Sequence, residues 1–223
     1  MNRYRNVDII RFMRPVRRVL TAVALLCAVN AVAETAQTDS CGHGDKIIHH
    51  IGMDVRGAYV APARGAVKRT YLGSPERDGA MSGHLKYSFS YSDATRTGRL
   101  YPGAYQGVGV GATTFFADNL TGMPVTAYLF QGAPIVRLAR NLTFDYEWNF
   151  GASFGWKRYN EDNNPMNVIV GSPVNAYINL GFLLNYRLNS KWNLTAGIDM
   201  THYSNGNTAL PNPGVNTLGG RVG

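Results

Sequence analysis

The sequence predicts an all-β protein, an eight-stranded antiparallel transmembrane β-barrel exported behind a cleaved leader. Three observations carry the prediction: side chains alternate with period two, several alternating runs are too long for an ordinary soluble sheet, and the chain opens as a secretory signal. Met1 to Leu20 holds Arg3, Arg5, Arg11, Arg14, Arg17 and Arg18 against Asp8. An apolar run from Val19 to Val29 follows, then Ala31-Val32-Ala33 at the spacing a signal peptidase reads. That run is too short to persist as a membrane helix. The expected organisation is therefore a leader over 1–33 and one barrel domain over 34–223. Leu26 stands where a small residue would precede a lipidated cysteine, so Cys27 is not read as a lipid anchor.

Cleavage removes most of the positive charge. The formal net charge is +8 over the whole chain; the part after Ala33 keeps 16 of 22 basic and 13 of 14 acidic residues, leaving +3. The basic balance thus belongs to the leader and gives no reason to expect a nucleic-acid partner. Only Cys41 survives cleavage, which excludes an internal disulfide. Cys41, His43, His49 and His50 match no zinc spacing and read as a lead-in to the first strand, so neither metal nor cofactor is expected.

The strands follow in order. Ile51, Met53, Val55 and Tyr59 alternate with Gly52, Asp54, Arg56 and Ala58, and Leu85, Tyr87, Phe89 and Tyr91 with Lys86, Ser88 and Ser90. Less regular strands fit about 105–116 and 125–138. In the first of these, Gly107 to Gly111 is barrel glycine rather than a nucleotide loop, because no helix follows. From Leu142 to Trp156 every even position is apolar, a strand with one apolar and one polar face. Ala176 to Leu188 and Leu194 to Met200 repeat the even register. The longer runs reach the ~9–11 residues a tilted membrane strand needs. Trp192, Trp156, Tyr186 and Tyr59 sit at strand ends, where an interfacial girdle would lie. No later segment is a transmembrane helix, so a closed barrel is the remaining way to pair every backbone group in lipid. Short turns follow Leu138 and Leu188, while long polar connections cover about 61–80, 117–124, 158–173 and 205–217. Short turns face the periplasm in bacterial barrels, which puts the long loops outside. An eighth strand is expected to begin near Leu218 and to be cut short at Gly223.

Candidate chemistry lies at the external end of the seventh strand, in His202-Tyr203-Ser204-Asn205-Gly206-Asn207. Spacing i, i+2 puts His202 and Ser204 on one face. A hydroxyl becomes a competent nucleophile when a base takes its proton, and His suits that role near neutral pH. Asn205 and the backbone N–H groups of Gly206 and Asn207 are candidate oxyanion donors. The pair continues the lipid-facing row, which is costly for polar groups unless the substrate is itself an outer-leaflet lipid. On spacing alone, polar strand-end residues without a chemical role remain the alternative.

His202-Tyr203-Ser204-Asn205, with Pro211-Asn212-Pro213-Gly214-Val215-Asn216 after it, resembles the signature of the PagL family of outer-membrane lipid A 3-O-deacylases. The resemblance implies an eight-stranded barrel with a membrane-facing site, His202 as base and Ser204 as nucleophile. It also implies a third residue orienting the His, fourteen positions on. There the family has Glu and this chain has Asn216. An amide oxygen can hold an imidazole tautomer but does not offset imidazolium charge. Asp199 is the nearest acid in sequence, though its parity points it into the lumen. The implied function is a serine esterase acting on an ester-linked acyl chain of lipid A in lipopolysaccharide, among outer-membrane lipids. The alternatives are a non-catalytic barrel serving adhesion or envelope integrity, and a phospholipase.

Overall fold

A computed structural model describes residues 47–61, 79–116 and 118–223. The expected leader, Cys41, His43 and the first long loop lie outside the described residues. Eight antiparallel strands run β1 (Ile47–Ala61), β2 (Gly79–Tyr91), β3 (Tyr105–Phe115), β4 (Val125–Ala139), β5 (Leu142–Phe154), β6 (Val174–Arg187), β7 (Asn193–Ser204) and β8 (Val215–Val222). Each pairs with its sequence neighbour, and β8 pairs with β1, closing the barrel. Two one-turn helices, α1 (Arg96–Leu100) and α2 (Asp118–Thr121), sit in connections.

Closure occurs with a stagger. Following hydrogen-bonded partners from Ile51 leads through Tyr87, Val108, Leu129, Phe150, Ile178, His202 and Asn216 to Ala61. Ala61 lies ten residues beyond Ile51 on the same strand, so each row of partners climbs toward the long-loop end from β1 to β8. Such a stagger tilts the strands by roughly 35–45° from the barrel axis.

The period-two reading holds along the walls. Phe150 is 56% exposed on the outer row and Asn149 is 1% exposed on the inner one. The outer row is apolar, as lipid contact requires. Inside, among the described residues, three cations form ion pairs with three carboxylates. Arg56 binds Asp54 at 2.6 Å, Lys86 binds Glu147 at 2.7 Å, and Arg221 binds Glu147 at 2.9 Å. Asp199 lies 3.7 Å from Arg56 and 3.9 Å from Arg221. Lys86 also sits 4.4 Å from the centroid of the Phe130 ring. Burial of any one of these charges without its partners would cost several kcal/mol per ion.

Above the charges, toward the long loops, aromatic rings plug the lumen. Phe115 and Trp156 centroids are 5.2 Å apart, Trp156 and Tyr203 5.1 Å, and Tyr177 and Tyr203 5.4 Å.

Three expectations need correction. Trp156 belongs to this plug rather than to the girdle: β5 ends at Phe154, Gly155 takes φ +83, and the turn sends the indole inward, where Nε1 donates to Ser153 Oγ at 2.8 Å. Tyr59, Tyr186 and Trp192 do face outward. His49 and His50 lie within β1, not in a lead-in. β8 starts at Val215, three residues earlier than expected; all eight of its residues pair with β7, and Asn216–Val222 also pair with β1.

Phe150→Arg should therefore cost ~2–4 kcal/mol near the membrane midplane. Glu147→Ala, which removes the nearest carboxylate of both Lys86 and Arg221, should cost about 3–5 kcal/mol. Urea titration followed by heat-modifiable migration measures both, and a wild-type midpoint for Phe150→Arg would contradict the assignment of faces.

Candidate active site

Every member of the candidate site lies at the long-loop end of β7 and β8 or in the connection between them. His202 and Ser204 close β7 on its outer row, both partly exposed, while the intervening Tyr203 points inward and is buried. Its ring packs against Phe115, Trp156 and Tyr177, and its hydroxyl lies 3.3 Å from Thr113 Oγ1. The neighbouring Thr201 is held from the lumen side, accepting from Asn179 Nδ2 at 2.9 Å, and Asn149 Nδ2 in turn donates to Asn179 Oδ1. Rigid inner contacts on both sides of His202 thus fix the backbone that presents it outward.

Asn216 is the direct cross-strand partner of His202 on β8, on the same outer row. His202 Nδ1 lies 2.7 Å from Asn216 Oδ1. An amide oxygen only accepts, so Nδ1 carries the proton and Nε2 is left with the free lone pair of a base. The two residues are fourteen apart in sequence, and the barrel register alone brings them together.

Ser204 pairs across the sheet with Ala176. Among the described residues no hydrogen bond joins it to His202. The i, i+2 spacing leaves their backbones ~7 Å apart along the strand, and such contacts commonly tighten only when substrate is bound.

The oxyanion candidates separate into two kinds. Asn205 braces its own loop: its N–H donates to Asn212 Oδ1 at 3.2 Å and its Nδ2 to the Ala209 carbonyl at 2.8 Å, while its Oδ1 is buried without a partner. Gly206 and Asn207 follow in left-handed conformation, φ +64 and +63, and both are exposed. Asn212 Nδ2 donates to Asn207 Oδ1 at 3.1 Å, tying the second of them to the same brace. Asp199, the substitute acid that the sequence offered, is buried in the lumen among Arg56 and Arg221, away from the outer row.

Two features were missed in the sequence. Gly214 has φ +78, and a Cβ there would stand 3.0 Å from His202 Cε1, so a glycine is what lets the loop cover the imidazole. Further, an outer row of small residues leads to the serine: Ala127, Ala152, Ala176 and Ser204 are successive hydrogen-bonded partners on β4, β5, β6 and β7. Large apolar partners flank it, Val125, Phe154 and Val174 above and Leu129, Phe150 and Ile178 below. The result is a shallow channel about 14 Å long, three strand spacings, which descends from Ser204 toward the membrane interior because rows climb from β4 to β7. Each alanine was visible in sequence, but their alignment exists only once the register is known.

A family model described as lipid A 3-O-deacylase (PagL) matches residues 78–223. The chain belongs to this family. The match spans β2 through β8, within which all the candidate residues fall. Among solved structures, the chain is similar to one described as the crystal structure of the outer membrane enzyme PagL, at 13% identity and TM-score 0.45, covering 75% of this chain and 97% of that one. No curated protein matches. PagL-family membership agrees with the closed barrel in pointing to a lipid-modifying outer-membrane barrel enzyme.

Gly214→Val should force the loop off His202, at a strain cost on the order of 1–3 kcal/mol for a β-branched residue at positive φ. The checks are the unfolding midpoint and the His202 imidazole resonances. Unchanged resonances would contradict the covering role of Gly214.

Proposed function

We propose that this protein is a serine esterase of the outer membrane that hydrolyses an ester-linked acyl chain of lipid A, the lipid part of lipopolysaccharide. The observation that carries the reading is the His202–Asn216 hydrogen bond on the lipid-facing row. A polar pair maintained there, beside a serine and at the head of an apolar channel, suits a substrate that arrives from the membrane with its acyl chain lying against the wall.

In this reading Ser204 Oγ attacks the ester carbonyl carbon while His202 Nε2 takes its proton. The Gly206 and Asn207 N–H groups donate to the oxyanion, with Asn205 and Asn212 holding that turn in place. The tetrahedral species collapses, the carbon–oxygen bond to the sugar breaks, and His202 returns the proton to the departing sugar hydroxyl. Water, deprotonated by His202, then attacks the acyl-Ser204 ester; the fatty acid leaves and Ser204 regains its proton. Asn216 Oδ1 keeps Nδ1 protonated throughout and so keeps Nε2 facing the serine. No step calls for a metal or cofactor. The support for lipid A in particular is family membership, together with the position of the site at the long-loop end, where outer-leaflet lipid lies.

Ser204→Ala and His202→Ala should each abolish release of fatty acid from lipid A in mixed micelles while the barrel folds normally. The double variant should match either single one, because a base without its nucleophile has nothing to activate. Full activity in Ser204→Ala would end the esterase reading in favour of a non-catalytic barrel.

Asn216 is tested separately. Asn216→Ala should lower turnover roughly ten- to a hundredfold, as loss of an orienting partner does. Asn216→Glu should retain or raise activity, because a carboxylate holds the same tautomer and also offsets imidazolium charge. An inactive Asn216→Glu beside a normal Asn216→Ala would remove Asn216 from the site.

A further inference from the structure

The mechanism leaves the opposite end of the barrel unused, and its charge is one-sided. Each of the three connections there carries two exposed cations: Arg96 and Arg99 between β2 and β3, Arg137 and Arg140 at the end of β4 and its turn, Arg187 and Lys191 at the end of β6 and its turn. The one exposed acid among them is Asp93. At the long-loop end, by contrast, the described connection between β5 and β6 balances Lys157 and Arg158 against Glu161 and Asp162.

None of the six cations is in an ion pair among the described residues, whose ion pairs all lie in the lumen. Local bonds fix the backbone that carries several of them. The Arg187 N–H donates to the Asn141 carbonyl at 2.8 Å, fastening the β4–β5 turn to β6 and setting Arg140 beside Arg187. Asn189 Oδ1 accepts from the N–H groups of Lys191 at 2.8 Å and Trp192 at 2.9 Å, which fixes the β6–β7 turn. Leu188 and Trp192 are exposed beside these cations, an aromatic and an aliphatic anchor at the level where charge begins. Like charges that outnumber their counter-charges on one rim repel one another, and an external anion relieves the repulsion.

We propose that this periplasmic rim is a binding surface for anionic glycerophospholipids of the inner leaflet, centred on Arg140, Arg187 and Lys191. The guanidinium groups suit a phosphodiester, which accepts two parallel hydrogen bonds from one Arg fork. Trp192 and Leu188 bury in the adjoining acyl region, as interfacial anchors do. Anionic lipid held at one end sets the depth of the barrel, and so holds Ser204 at the level of the outer leaflet. The lipid surface is distinct from the proposed substrate, which occupies the other leaflet.

The test uses the full barrel in phosphatidylcholine bilayers containing a fixed fraction of either brominated phosphatidylglycerol or brominated phosphatidylcholine. Trp148→Phe removes the other outward tryptophan; Trp156 is buried in the lumen, so quenching reports on Trp192. The brominated phosphatidylglycerol should be preferred at Trp192 by about fivefold, the factor that one cation near an anionic surface supplies. The preference should vanish in Arg140→Gln/Arg187→Gln/Lys191→Gln and fall steeply in ~0.5 M salt, where screening shortens to a few ångströms. Equal quenching by both lipids, or a preference that survives neutralisation in a folded barrel, overturns the proposal. If the triple variant does not fold, the salt titration decides, and a salt-independent preference overturns it.

Discussion

The structure depends on the closure of one antiparallel sheet. Closure pairs the backbone groups that lipid would otherwise leave unsatisfied, and it imposes a strict alternation in which each residue meets either lipid or lumen. The same register fixes which residues become neighbours. A single row of partners, from Ile51 to Ala61, passes through His202 and Asn216. A shift of one residue in β8 would carry Asn216 to the inside and leave the imidazole without its partner.

The interior is what makes an outward-facing site rigid. His202 and Ser204 have one large buried residue between them, and Tyr203 is wedged among Phe115, Trp156 and Tyr177. The lumen also supplies an instructive contrast. Ser82 and His84 have the same i, i+2 spacing as His202 and Ser204, and their side chains are hydrogen-bonded at 3.0 Å. Both are buried, and His84 Nδ1 is 3.1 Å from the hydroxyl of Tyr128. That pair is part of the packing. A serine and a histidine at the right spacing are common enough to occur twice in one barrel; the face of the sheet distinguishes a surface that a lipid can reach from one that it does not.

Much of this is legible in the sequence. The even-position apolar run from Leu142 to Phe154 fixes the faces of β5, and the same parity places His202 and Ser204 outward. What escaped the sequence depended on backbone turns and on long-range register. Trp156 continues the even run on paper, but Gly155 breaks the strand and rotates the indole inward. β8 is short and rich in glycine, so alternation gave little sign of its start at Val215. Asn205 reads as a donor beside the serine, yet its amide is engaged with Asn212 and Ala209, contacts across a loop that local spacing does not reveal. The alanine channel is the clearest case, since each of its members lies on a different strand.

The central claim is that Ser204, on the lipid-facing row, is the group activated by its neighbouring histidine. A fluorophosphonate probe tests this directly, because it bonds covalently to an activated serine oxygen and leaves ordinary hydroxyls untouched. Labelling of the folded barrel in mixed micelles, followed by peptide mass spectrometry, should place the phosphonyl group on Ser204 and leave Ser82 unmodified. A folded barrel that stays unlabelled, or one labelled at a different serine, would contradict the account.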